Sequence, residues 1–160
     1  MKPIIVLITV FVVAACITRL TSGAWNWTFA GNMAMCAMLC FTALGHFLFP
    51  KGMAMMIPPI IPYKTALVYI TGVAEIAMGL ALLSPALRPY TGYVLVVFFI
   101  VILPANIYAA IKHIDLEKAS YTGPGVNYLW FRVPEQLLFI AWVVYFAIRI
   151  NPTITIPSIN

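Results

Sequence analysis

The chain has 160 residues, of which 64% are apolar and only 8% are charged. Soluble domains carry about 25% charged residues, so most of the usual water-facing surface is missing. Nine Lys and Arg and four Asp and Glu are scattered along the chain, with no basic patch to bind phosphates. This balance excludes a soluble globular domain, a disordered chain and a nucleic-acid binder, and it predicts a polytopic, all-α integral membrane protein. A span needs about 20 apolar residues, so the length allows one membrane domain, residues 1–160, with five helices and short loops.

The charges mark the ends of the spans. The uncharged stretch PIIVLITVFVVAACIT between Lys2 and Arg19 predicts a first span over about 3–22. Gly23, Trp25 and Trp27 then suggest a turn at headgroup level, where Trp concentrates. The charge-free run that follows predicts a second span over about 28–49. A third covers about 65–83 and contains a single charge, Glu75. Ser84-Pro85 and Arg88-Pro89 punctuate a tight turn, which predicts that the fourth span, about 90–111 with Pro104 inside it, lies beside the third as an antiparallel neighbour. The fifth covers about 129–149, and a polar tail, 150–160, follows.

The N-terminal segment has two readings. Val13-Ala14-Ala15-Cys16 fits a lipoprotein cleavage box, in which Cys16 becomes the acylated first residue. Lys2 alone is a poor basic region, and the apolar stretch continues through Ile17, which favours an uncleaved helix. Cys36 and Cys40 are four residues apart on one helix face. They read either as a redox pair or, the favoured reading, as small hydrophobes. The short loops place Lys2, Lys51, Lys64, Lys112, Lys118 and Arg132 on one side and Arg19, Arg88 and Arg149 on the other. The positive-inside rule therefore predicts a cytoplasmic N-terminus.

Two loops on the more basic side are longer than a bare turn. Residues 50–64, PKGMAMMIPPIIPYK, contain Pro50, Pro58, Pro59 and Pro62 and are too apolar for a freely solvated loop. They are expected to lie in the interface or to fold over the mouth of the bundle. Residues 112–128, KHIDLEKASYTGPGVNY, read as a solvated connector.

Polar groups inside a bilayer are costly and face the interior. At 100° per residue, Val68, Gly72, Glu75, Gly79 and Leu82 form one stripe of the third span. Gly72 and Gly79 flank the carboxylate and admit a neighbouring helix, so Glu75 faces a helix contact. The second span aligns Asn32, Met35, Leu39, Thr42 and His46. The fourth aligns Gly92, Leu95, Phe99, Ile102 and Asn106, and Pro104 cannot donate to the Ile100 carbonyl. Asn106 is a nearby candidate partner for that oxygen. The fifth opens with Arg132, Pro134, Glu135 and Gln136. Pro134 suits a first helical turn, and Arg132 with Glu135 suits a local ion pair.

Measured from the side of the two longer loops, Arg132 lies roughly 5 Å deep, His46 roughly 6 Å, Asn106 roughly 9 Å, Gln136 roughly 10 Å and Glu75 roughly 15 Å. His46, Glu75, Asn106, Arg132 and Gln136 are therefore the candidates for one polar pocket, with Thr42 and Glu135 beside it. Convergence would give Glu75 either a counter-charge in Arg132 or a proton partner in His46. No metal-ligand cluster, haem-type His pair, C-x-x-C or nucleotide motif is visible, and no cofactor is evident.

The strings TALGHFLFP, MIPPIIP, VYITGVAEIAMGLALL, ILPANIY and LWFRVPEQ occur in this order. Together they resemble the DoxX-like family of small bacterial integral membrane proteins, over about residues 40–145. The resemblance implies an antiparallel four-helix transmembrane bundle made of spans two to five, with the first span an addition, in the bacterial cytoplasmic (inner) membrane. The family's recurrent residues map to His46, Pro50, Pro58, Pro59, Gly72, Glu75, Pro104, Asn106, Arg132, Pro134 and Gln136. Glu135 is an extra acid. Family members are linked to a thiosulfate–quinone oxidoreductase complex and to membrane redox-stress assemblies, and distant animal relatives are assembly chaperones for ion-channel receptors. Three functions are therefore expected in competition. One is a non-catalytic subunit or assembly partner of other membrane proteins. The second is a quinone-associated oxidoreductase subunit that holds a small apolar or quinone-like ligand, with Glu75 and His46 relaying protons. The third is a proton-coupled small-molecule transporter.

Overall fold

In the computed structural model, which describes residues 2–150, the described residues are organised as helices without a named strand. The elements in chain order are α1 (Lys2–Ser22), α2 (Trp27–Leu48), α3 (Pro50–Met56), α4 (Lys64–Ala81), α5 (Arg88–Ile111) and α6 (Leu129–Val143). A 3-10 turn, Gly125–Tyr128, leads into α6, and a π-helical turn, Val144–Arg149, continues it. Five helical segments are long and apolar enough to cross a membrane: α1, α2, α4, α5 and the continuous Gly125–Arg149 stretch. The tail expected at 150–160 falls, beyond Ile150, outside the described residues.

Local chemistry sets the boundaries. Asn26 caps α2, its Oδ1 accepting from the Phe29 N–H at 3.0 Å, which satisfies one of the free donors of the first turn. Phe49 precedes Pro50 and is steered away from helical geometry, so α2 stops and α3 begins with proline in its first turn. The sequence reading left 50–64 as a loop, but half of it is helical. The four residues before the first of the two adjacent prolines complete an apolar turn, and Pro58-Pro59 then ends it. Tyr63 takes a left-handed conformation, φ 52°, to launch α4.

The packing order differs from the chain order. The α4 helix seats chiefly against α2 and touches α5 only lightly, so the expected close pairing of the third and fourth spans is not the main contact. The reason lies in the stripe around Glu75, whose glycines admit α2. A β-carbon on Gly72 would lie 2.7 Å from His46 Cβ, and one on Gly79 would lie 3.3 Å from the Cys36 carbonyl oxygen. These contacts run in opposite chain directions, so α2 and α4 are antiparallel. The α5 and α6 helices are antiparallel too, with Gly92 against Ile148 and Phe99 against Phe139. The α1 helix packs along α2, where Ala14 and Ala15 bury against Ala30 and Leu7 reaches the main core.

That core contains Met35, Met38, Leu39, Leu82, Leu95, Phe99, Phe139 and Val143. Amide and indole donors tie its helices together at backbone level. Asn32 Nδ2 donates to the Phe146 carbonyl at 3.0 Å, and Trp142 Nε1 donates to the Gly31 carbonyl at 2.9 Å. The connector 112–128 is more ordered than a bare solvated loop. Asp115 and Ser120 form a bridge, Asp115 Oδ1 accepts from the Glu117 and Lys118 N–H groups, and Gly52 of α3 lies directly against the Leu116 carbonyl.

Candidate functional site

The polar residues singled out in the sequence gather in two groups, each built between a pair of helices. The first lies between α2 and α4. Glu75 is 6% exposed, and its two oxygens serve different partners. Thr42 Oγ1 lies 2.9 Å from Oε2, and His46 Nε2 lies 3.5 Å from Oε1. On its other edge, His46 Nδ1 is 2.8 Å from the Val68 carbonyl, with Thr71 Oγ1 at 3.1 Å.

The protonation logic follows from donors and acceptors. A carbonyl oxygen only accepts, so Nδ1 carries a proton toward Val68. His46 Nε2 faces Glu75 Oε1 at 3.5 Å. A proton held between them would make the pair either carboxylate with imidazolium or carboxylic acid with imidazole, both neutral overall. Thr42 adapts to either state. Its hydroxyl has acceptors at Glu75 Oε2 and at the Leu39 carbonyl, 3.0 Å away. It can donate to the carboxylate, or donate to Leu39 and accept from the acid.

The second group lies between α5 and α6. Gln136 Nε2 donates to the Phe99 carbonyl at 2.6 Å, and Gln136 Oε1 accepts from Asn106 Nδ2 at 3.4 Å. The Phe99 carbonyl is one residue before the one that Pro104 leaves without its helical donor, so Gln136 bonds α5 beside the proline-altered turn. This corrects the expectation that Asn106 would serve the Ile100 carbonyl itself. Asn106 lies six residues beyond Ile100 and turns its amide to Gln136 instead.

Arg132 turns to Glu135 and not to Glu75. Its Nη1 lies 2.7 Å from Glu135 Oε2, the local pair that three-residue spacing favours. The expected convergence of Arg132 on Glu75 is thus resolved toward His46. Glu135 is 2% exposed, and its Oε1 has no hydrogen-bond partner. An unsatisfied buried acceptor costs about 1–3 kcal/mol, so this atom stands out. Pro134 lies inside α6 and not in its first turn, because helical backbone already begins at Leu129 and the 3-10 turn precedes it. Among the described residues, no side-chain hydrogen bond or ion pair joins the two groups.

Several contributors were not legible in the sequence. Thr71 sits one turn before Glu75, which was the available signal. Arg88, expected as a helix-end anchor, is buried and donates from Nε to the Leu82 carbonyl at 3.0 Å, closing the end of α4. Cys36 is buried and free, as packing predicts, and Cys16 is exposed on an α1 that runs through it without interruption. Pro58 and Pro59 stay with the connector after α3, away from both polar groups. No group of three or more metal-ligating side chains occurs among the described residues.

Two open depressions mark the ends of the molecule. One, about 620 Å³, is lined by Phe11, Trp25, Trp27, Tyr145 and Phe146 among others. The other, about 350 Å³, lies between Pro50–Gly52 and Leu116–Ala119. Neither is lined by Thr42, His46, Glu75, Asn106, Arg132, Glu135 or Gln136.

No curated protein and no solved structure matches the chain. A family model does match, over residues 35–147, from the middle of α2 to the π-helical turn, leaving α1 outside. The chain therefore belongs to the family described as a domain of unknown function, DUF8561.

Proposed function

We propose that this protein is a DoxX-like, multi-pass membrane protein that acts as a non-catalytic subunit or assembly partner of a membrane complex. Four of its helices form the bundle and α1 is added to it. The N-terminus lies on the cytoplasmic side, following the bias of Lys and Arg toward the α3 end. One observation carries this reading. The buried side chains of Asn32, Glu75, Asn106 and Gln136 are bonded across helix pairs to side chains or backbone carbonyls, and they line neither open depression. Such bonds fix helix register and shape, which is what a scaffold for other membrane proteins requires. Affinity purification of the full chain in a mild detergent tests it. A recurring membrane partner at fixed stoichiometry is expected, still captured by Glu75→Gln protein. Repeated isolation of the chain alone, folded and without a recurring partner, would overturn it.

The His46–Glu75 pair favours a second reading, a subunit that handles protons beside a quinone or for a transported solute. The approach of His46 Nε2 to Glu75 Oε1, 3.5 Å, is the specific observation behind it. In the quinone form, binding of a short-chain ubiquinone falls when Glu75→Gln and His46→Ala are combined, and unchanged binding sinks that form. In the transport form, uptake into proteoliposomes follows a pH gradient and is lost in Glu75→Gln.

A further inference from the structure

The depression beside the α1–α2 turn is built from three segments. Phe11 comes from α1, Trp25 and Trp27 from the turn and the start of α2, and Tyr145, Phe146 and Ile150 from the π-helical turn and its end. Its volume, about 620 Å³, lies in the range of small-molecule sites. Packing fixes its rings. Phe146 seats on Gly31, where a β-carbon has no room, and Phe11 meets Trp27 at 6.0 Å and Phe146 at 5.5 Å between centroids. Trp25 stacks on Trp27 at 5.0 Å. The Ile150 N–H donates to the Tyr145 carbonyl at 3.2 Å, a five-residue bond that sets both residues along the depression. Such π turns occur frequently at functional sites.

The lining is graded from polar to apolar. Ser22, Asn26 and Thr28 line it near the turn, and Phe11 with Phe146 lines it farther in. Phe11 and Ser22 lie within about 20° of each other on the α1 wheel and about 16 Å apart along the axis. Half the hydrocarbon thickness of a bilayer is about 15 Å, and a turn carrying two tryptophans belongs at headgroup level. In a bilayer the depression therefore runs from the headgroups to the depth of one leaflet's acyl chains.

The charge around it has one sign. Arg19 Nη1 donates to the Gly23 carbonyl, between the lining residues Ser22 and Ala24. Arg149 is exposed and adjoins Ile150 in the chain. Among the described residues neither guanidinium is in an ion pair. The four acids of the chain, Glu75, Asp115, Glu117 and Glu135, all lie outside the three segments. We propose that this depression binds one anionic phospholipid of the surrounding bilayer. Its phosphate end meets Arg19 and Arg149 at the turn, and an acyl chain runs over the Trp27, Phe11 and Phe146 rings. A soluble anion would use the guanidinium groups and leave the aromatic trough uncovered, whereas an anionic lipid matches both. The site rests on the multi-pass membrane reading and is independent of any protein partner.

Tryptophan quenching in phosphatidylcholine nanodiscs that contain a small fraction of brominated lipid tests the site. The full chain carries Trp130→Phe, which removes the exposed indole at the start of α6. Brominated phosphatidylglycerol should bind roughly tenfold or more tightly than brominated phosphatidylcholine, with about fivefold from each arginine. Arg19→Gln combined with Arg149→Gln should bring the two lipids within about twofold of each other. If that double variant fails to fold, Arg149→Gln alone decides, because it removes an exposed charge and should lower the preference about fivefold. Lys51→Gln with Lys118→Gln, at the opposite end, should leave the preference in place. Equal quenching by the two lipids in the chain with both arginines would assign the depression to another occupant and overturn the site. A preference that survives loss of both arginines, or that falls equally with the two lysines, would overturn it as well. Protein that an alkaline carbonate wash releases from membranes would reject the membrane reading beneath it too.

Discussion

The α2–α4 and α5–α6 pairs solve the burial of polar groups in different ways. Between α2 and α4, two glycines bring the backbones close, and each polar atom of Glu75 meets a side chain from the facing helix. Between α5 and α6, Pro104 removes a helical donor, a glutamine on α6 bonds the neighbouring Phe99 carbonyl, and one carboxylate oxygen of α6 is left over. The first pair is held by close approach and the second by repair of a broken ladder. Close approach tolerates no added volume, whereas a repaired ladder tolerates volume but not the loss of a donor.

The largest effect should come from adding volume to the first pair. Gly72→Val places new atoms where a β-carbon alone would meet His46 Cβ at 2.7 Å. A loss of about 3 kcal/mol or more is expected, seen as a collapse of the thermal midpoint in detergent. Little change would mean that the two pairs are equally tolerant. Next comes the second pair's unbalanced acid. Removing one partner of a fully buried ion pair costs about 3–5 kcal/mol, and the partly exposed guanidinium lowers the expectation for Arg132→Gln to about 2 kcal/mol. Adding Glu135→Gln should recover most of that loss, and unfolding measurements on the single and double variants check it. The smallest effect is expected for Gln136→Leu, about 1–2 kcal/mol, because it keeps volume while stripping the donor from the Phe99 carbonyl. Amide exchange around Phe99 should rise, and an unchanged rate would show that the turn beside Pro104 needs no help from α6.

Much of the frame was legible from the charges and the apolar runs. The predicted span ends fall within two residues of the helical segments except at the start of the fifth, where the 3-10 turn Gly125–Tyr128 adds four residues. Helix ends follow charge, Pro-containing dipeptides and caps that are written locally. The stripe Val68, Gly72, Glu75, Gly79 and Leu82 is buried as a whole, since a carboxylate and two glycines on one face leave only one sensible neighbour. The short helix at Pro50–Met56 was not legible. It is too brief for a periodicity to show, and its proline-rich surroundings read as a breaker.

Partner choice was legible only as alternatives. Arg132 had two carboxylates within plausible reach, and depth along the membrane normal could not separate them, because depth carries no azimuth. Glu135 was the most misleading residue, since an acid three positions after an arginine at a helix start suggests a surface pair. Its burial, at 2% exposed, depends on how α6 packs in the bundle, which no local pattern encodes.

The sequence by itself determined the class, the number and extent of the apolar helices, and the inward direction of Glu75. These follow from transfer free energies and helical periodicity, which act residue by residue along the chain. Only the tertiary structure decided that α4 seats on α2 rather than on its sequence neighbour, that Glu75 meets His46 and Thr42, and that Glu135 is buried with one oxygen free. Those outcomes depend on which helices meet and at what rotation, and that is fixed by the mutual fit of side chains far apart in the chain.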